Sequence, residues 1–163
     1  MVSMRVEYAM TGPLECDADL HYSGYEDTSP DFLCGPNVRD CYLIHYIHRG
    51  EGTYTLRGKT YPLAAGDAFL ISPREVVYYA SRREEPLSFY WFAYNGRKAP
   101  EFTRRMGFSE AQPVLRLHAD NRISVQMDRL LQTLEDDKRA TMRNSAGQPG
   151  TFEVLSRLYA LFR

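Results

Sequence analysis

At 163 residues, with 44% hydrophobic and 25% charged side chains, the chain has the makeup of one globular domain. The balance of 20 basic against 21 acidic residues, net charge −1, excludes a field that gathers phosphates, and with it direct nucleic-acid binding by this chain. Cys16, Cys34 and Cys41 form no close pair of the kind zinc sites use, and MVSMRVEYAM holds no apolar run long enough for a signal peptide, so a reduced, cytoplasmic protein is expected.

Residues 1–38 are broken by Gly12-Pro13, Ser29-Pro30 and Gly35-Pro36, and read as an arm with a strand at Leu20 to Glu26. From Asp40 the β signal is strong. CYLIHYIH is a continuous β-rich run closed by the turn Arg49-Gly50-Glu51-Gly52. Thr53 to Arg57 follows as a strand, Gly58-Lys59 as a tight turn, and Thr60 to Leu63 as the hairpin partner. Asp67 to Ile71 is a short buried strand stopped at Ser72-Pro73, Val76 to Ser81 is another, and Leu87 to Tyr94 is a long aromatic one ended by Asn95-Gly96. Strands this closely spaced leave no room for the crossover helices of a parallel sheet and suit an antiparallel sandwich or small barrel.

After Asn95 the character changes. RKAPEFTRRMGF reads as a short helix and VLRLH as an extended stretch. A helix from Arg122 to Lys138, capped by Asp120 or Asn121, carries Ile123, Met127, Leu130, Leu131 and Leu134 on one face. Beyond the linker MRNSAGQPG, Thr151 to Arg163 forms a second helix with Phe152, Leu155, Leu158, Tyr159 and Phe162 in a stripe. No Gly cap or polar tail closes this helix, so a longer protein is expected to continue past Arg163. The expected division is an arm with first strands over 1–38, a barrel core with the short helix over 39–118, and a two-helix dimerisation region over 119–163.

Residues 42–80 resemble the cupin signature: a strand, a Gly-rich turn and a hairpin leading to Gly-Asp, an apolar strand and a Pro turn. The marks here are Gly50, Gly52, Gly58, Gly66-Asp67 and Pro73. More particularly, the run from RDCYLIHYIHRGEGTY through GDAFLISP to SFYWFAYNG, with the C-terminal helix pair, resembles the N-terminal effector-binding domain of AraC-family transcription regulators. The resemblance implies a mainly β fold: a cupin, or double-stranded β-helix (jelly-roll), barrel followed by a C-terminal pair of helices. It implies an effector, often a sugar, inside the barrel, a homodimer through the helices, and a separate DNA-binding domain with two helix-turn-helix motifs. That domain is expected in the longer protein and not within these residues.

Catalytic cupins place two His one residue apart on the strand before the hairpin and a further His after the Pro turn. Here His45 and His48 are three apart, so strand alternation sends them to opposite faces, and Arg74 to Tyr79 contain no His. No metal, no cofactor and no enzyme activity are therefore expected. The alternative is a metal-free cupin enzyme acting on a carbohydrate, an epimerase or isomerase, with His45 and Tyr79 as base and acid.

Alternation also sorts ligand candidates. Leu43, His45 and Ile47 share one face, opposed by Tyr42, Ile44, Tyr46 and His48; Leu87, Phe89, Trp91 and Ala93 share another. By the family resemblance, the position of Trp91 points into the effector pocket, where an indole face stacks on the C–H face of a sugar. The expected ligand-binding set is Glu26, Arg39 at the barrel entrance, His45, Tyr79, Phe89 and Trp91, with no catalytic residue. The expected dimer contacts are Leu155, Leu158, Tyr159 and Phe162.

Overall fold

The computed structural model describes residues 17–117 and 121–143. Nine strands and two helices follow in order: β1 (Asp19–Asp27), β2 (Leu33–Asn37), β3 (Tyr42–Arg49), β4 (Glu51–Leu56), β5 (Lys59–Ala64), β6 (Asp67–Ile71), β7 (Val77–Ser81), β8 (Ser88–Asn95), α1 (Ala99–Arg105), β9 (Val114–Arg116) and α2 (Asn121–Arg143). One sheet has the order β1-β8-β3-β6-β9 and the other β2-β7-β4-β5. The pairings are nested: β4 pairs with β5 at the tip, β3 with β6, β2 with β7 and β1 with β8, all antiparallel. This is one long hairpin rolled into two facing sheets, the jelly-roll topology of the cupin barrel.

Local sequence sets the corners. At the tip, Leu56 faces Lys59, leaving Arg57 and Gly58 as a two-residue loop with φ of 51 and 75. Positive φ at both central positions matches the right-handed twist of the flanking strands. The turn is therefore Arg57-Gly58, one residue earlier than Gly58-Lys59, and Lys59 opens β5. Gly50 is the sole residue between β3 and β4, which lie in different sheets. Its φ is 86, and a Cβ there would sit 2.1 Å from the Pro86 carbonyl oxygen. Asp67 ties the next corner: its Oδ2 accepts from the Ala64 N–H at 2.9 Å and from the Arg116 guanidinium at 2.7 Å.

No strand is expected at Leu33–Asn37, because Gly35-Pro36 has the chemistry of a turn. In the fold this segment is the outer strand of its sheet, where a missing N–H breaks no further ladder, and the register shifts between Cys34 and Asn37.

The first sheet is covered on both faces. Leu43, Ile47, Phe69, Phe89 and Ala93 pack inward against Tyr54, Leu63, Val77 and Tyr79 of the second sheet. On the other face Ile44, Tyr46, Tyr90 and Phe92 pack against Ala99 and the α2 residues Met127, Leu130, Leu131 and Leu134, the apolar stripe expected of that helix. Each such side chain taken from water contributes about 1.5–3 kcal/mol. Two polar contacts fix α2 on the sheet: the Tyr90 hydroxyl donates to Asp128 at 2.7 Å, and His48 Nδ1 lies 3.3 Å from the Ser124 hydroxyl. α2 runs on to Arg143, past the expected end at Lys138, and a Glu135–Arg139 pair at 3.9 Å spans its later turns. The second expected helix, Thr151 to Arg163, lies outside the described residues. No described helix is long and apolar enough to cross a membrane.

Gly50→Ala and Gly58→Ala separate backbone strain from steric clash. Both positions have positive φ, but a Cβ at Gly58 meets nothing within 4 Å. Urea unfolding is expected to show a loss of about 1 kcal/mol for Gly58→Ala and at least about 2 kcal/mol more for Gly50→Ala. Equal losses would remove the clash at Gly50.

Candidate functional site

Cross-strand register builds one inward row through the middle of the first sheet. Gly24 faces Trp91, Trp91 faces His45, His45 faces Phe69, and Phe69 faces Val114. Gly24 is needed in this row, since a Cβ there would stand 2.2 Å from the Trp91 ring. The indole therefore lies against the bare β1 backbone, 8% exposed.

His45 sits at the centre of the barrel. Its ring stacks on Phe69 at 4.5 Å and 2°, with Tyr79 and Phe89 each at 5.0 Å and Trp91 at 6.4 Å. It is 2% exposed, and its Nδ1 is buried without a hydrogen-bond partner. Burial, and secondly the positive charge of Arg39, lower its pKa from 6.5 to about 3, so the ring is neutral.

Arg39, just before β3, brings a second unsatisfied atom. Its Nε is buried with no hydrogen-bond partner, and its guanidinium carbon lies 6.0 Å from the Tyr22 ring centroid. Tyr22 pairs with Ala93 on the inward face, and its hydroxyl is 3.8 Å from the Cys41 thiol. Tyr79 projects from the second sheet. Burial first, then its hydrogen bond with Cys34, raises the phenol well above its ordinary pKa, and the nearby Glu26 carboxylate pushes the same way. Glu26 faces Phe89 across the β1–β8 ladder and so lies on the inward side.

The structure thus brings His45, Tyr79, Phe89 and Trp91 into one aromatic cluster and sets Arg39 and Glu26 close enough to act on it by charge. His48 points away, to α2. Among the described residues no group of three or more His, Cys, Asp or Glu is placed to hold a metal ion. Phe69 and Tyr22 belong to the site although the sequence reading did not name them. Alternation from Ile71 and Gly24 marks their faces, but only the register shows them beside His45 and Arg39. The residues expected at the dimer contact, Leu155, Leu158, Tyr159 and Phe162, lie outside the described residues. A groove of about 620 Å3 lies elsewhere, on the outside of the barrel, and none of the six expected ligand residues lines it.

The family described as "AraC-like ligand binding domain" matches residues 20–162. The chain is 33% identical over 89 residues to the Msm operon regulatory protein of Streptococcus mutans serotype c, covering 55% of this chain and 32% of that protein. It is 30% identical over 99 residues to the lactose operon transcription activator of Staphylococcus xylosus, covering 61% of this chain and 36% of that protein. The matched region thus spans about a third of the length of these curated relatives. Among solved structures, the protein YhaK from Escherichia coli superposes with a TM-score of 0.53 at 16% identity, over 72% of this chain and 52% of that one, a likeness of fold alone.

The His45 environment sets a pH dependence. An unfolded His takes up its proton near pH 6.5, whereas the folded ring resists until about 3. The unfolded state binds more protons across that window, so stability is full above pH 6.5 and falls as the pH drops toward 3. Between about pH 6.5 and about pH 4.5 the loss from this group is about 2–3 kcal/mol. Urea unfolding of the parent and of His45→Asn at both pH values isolates it; equal losses in the two proteins would assign the dependence elsewhere.

Proposed function

Because the chain belongs to the AraC-like ligand binding domain family, we propose that it is the effector-sensing part of a transcription regulator, binding a sugar or sugar derivative inside its barrel. The observation that carries this reading is the pair of buried nitrogens without partners, Arg39 Nε and His45 Nδ1, in an apolar interior of aliphatic side chains and rings. A buried polar atom left unpaired costs about 1–3 kcal/mol, and a hydroxyl-rich ligand supplies the missing partners. A neutral imidazole offers one donor and one acceptor, which suits a hydroxyl, since that group can serve as either. Arg39 Nε–H donates to a ligand oxygen, Trp91 and Phe89 cover a C–H face, and Tyr79 and Glu26 lie beside the remaining hydroxyls. The name of the Staphylococcus xylosus relative, a lactose operon activator, supports a sugar.

The alternative, a metal-free carbohydrate isomerase, needs a base and an acid poised near neutral pH. His45, held neutral down to about 3, is a weak base, and Tyr79 is held as a poor acid. The same groups serve binding without such cost, so a sensor rather than an enzyme is the better reading.

In this reading the chain acts in the cytoplasm as a homodimer through the C-terminal helices expected from the sequence, and DNA is contacted through a separate domain of a longer protein. Replacing Leu155 and Leu158 by Asp is expected to give monomers in sedimentation; dimers that survive unchanged would move the interface elsewhere.

Effector binding is read from Trp91, the single tryptophan of the chain. Titration with lactose and a panel of mono- and disaccharides is expected to change the indole emission saturably for at least one sugar. At a hundred times Kd that sugar raises stability by about 2.7 kcal/mol. Arg39→Met and His45→Asn should each weaken it at least tenfold. A panel with no saturable response, or binding indifferent to both substitutions, would overturn the barrel as a sugar site. Turnover of the bound sugar would restore the enzyme reading.

A further inference from the structure

The groove of about 620 Å3 opens where the Pro73 turn, the β4–β5 tip and α1 meet. Its floor includes Tyr42, Leu70 and Phe108, and its rim carries Arg57, Arg74 and Arg104. Glu75 and Glu110 also line the groove: the Arg57 guanidinium pairs with Glu75 and lies 3.7 Å from Glu110, so this group carries one negative charge in excess. Arg74 and Arg104 are exposed and make no ion pair with any described residue. Three guanidinium groups thus face two carboxylates, and the net positive charge of the half-enclosed, apolar-floored cleft falls on Arg74 and Arg104, the two that make no ion pair among the described residues.

We propose that this groove is a second small-molecule site, for an organic anion: a phosphate ester or a carboxylate whose carbon body lies on the aromatic floor. The volume falls within the roughly 300–1,000 Å3 of ligand pockets. The exposed lining is a small fraction of the ~800 Å2 that each partner buries in a stable protein interface, which favours a small ligand over a macromolecule. Guanidinium groups suit such an anion because their planar donors meet two oxygens at once. The apolar floor contributes to a carbon body and adds nothing for a bare ion, so the site discriminates an ester from inorganic phosphate.

The groove is also tied to the barrel. The Arg74 N–H donates to the Arg39 carbonyl at 2.7 Å, and Arg74 holds a left-handed backbone with φ of 65. A non-glycine residue in that conformation is held there by its surroundings at a cost of about 1–2 kcal/mol. An anion gripped by the Arg74 side chain thus acts on the segment that carries Arg39 into the barrel. This link rests on the effector reading of the barrel; the groove as a site does not.

The test titrates the whole chain with glucose 6-phosphate, gluconate, glucose and inorganic phosphate by calorimetry, with circular dichroism as a control on folding. Arg74→Gln with Arg104→Gln removes both charges at exposed positions while keeping the aliphatic stems. Saturable binding of glucose 6-phosphate or gluconate is expected, at least tenfold weaker in the double variant and unchanged in His45→Asn. Three results would overturn the site: no saturable binding of either anion, binding indifferent to the two arginines, or binding lost in His45→Asn, which would put the anion in the barrel. Inorganic phosphate binding as tightly as the ester would reduce the groove to a patch for bare ions and overturn the organic ligand. A sugar affinity in the barrel that does not change when the groove is filled would overturn the link alone.

Discussion

β3 and β8 lie side by side in a sheet covered on one face by the second sheet and on the other by α1 and α2, so neither strand has a face that meets water. Every side chain along their central stretches must be apolar or find a partner inside the protein. Most polar groups there do. The Ser88 hydroxyl donates to Asp27 at 2.5 Å, the Tyr90 hydroxyl to Asp128 at 2.7 Å, and the Tyr94 hydroxyl pairs with that of Thr103. His45 Nδ1 has none. A constraint obeyed by its neighbours and broken at one ring is the ground of the proposed effector site.

The nested pairing explains why that ring sits where it does. Once Arg57-Gly58 closes the tip, each outer pair of strands inherits its register from the pair within, and a slip of one residue would exchange the two faces of a strand. The row from Gly24 to Val114 is a product of that register, and so is the contact of His45 with rings from three other strands. The same corners shape the outside: the tip and the Pro73 turn bound the external groove, while the backbone of Arg74 reaches Arg39. Interior and groove are thus adjoining consequences of one folding pattern.

Much of this was legible in the sequence, for a physical reason. β3 and β8 read as near-continuous apolar runs because both of their faces are buried; alternation then sorted His45 with Leu43 and Ile47 and Trp91 with Phe89, while the inward direction of Trp91 came from the family resemblance. The α2 stripe was readable because a helix on a sheet needs a single apolar face. β2 was not readable, since Gly35-Pro36 has the chemistry of a turn, and only its place at the sheet edge lets it stand in a ladder. Nor were Phe69 and Tyr22, whose importance comes from neighbours 24 and 17 residues distant, a relation that register sets and local pattern does not show. The approach of Arg39 to His45 belongs to the same class, for the charge that adds to burial in depressing the imidazole pKa comes from a loop whose path no periodicity encodes.

A sensor needs a difference in free energy between its empty and filled states, because a ligand shifts an equilibrium only by its differential affinity for the two forms. The unsatisfied pair offers a source for that difference in the proposed reading. With Arg39 Nε and His45 Nδ1 unpaired, the closed barrel carries a penalty of about 1–3 kcal/mol for each. A ligand that satisfies both relieves about 2–6 kcal/mol in the closed form, whereas in any form where the two atoms meet water there is nothing to relieve. That range reaches the ~5.5 kcal/mol needed to invert a population from 1:99 to 99:1. The close packing of the rings adds direction, since a sugar entering between Phe89, Trp91 and Tyr79 must displace at least one of them. Trp91 rests on β1 at Gly24 and Tyr79 is paired with Cys34 on β2, so displacement of either ring is felt first by the strands nearest the start of the chain.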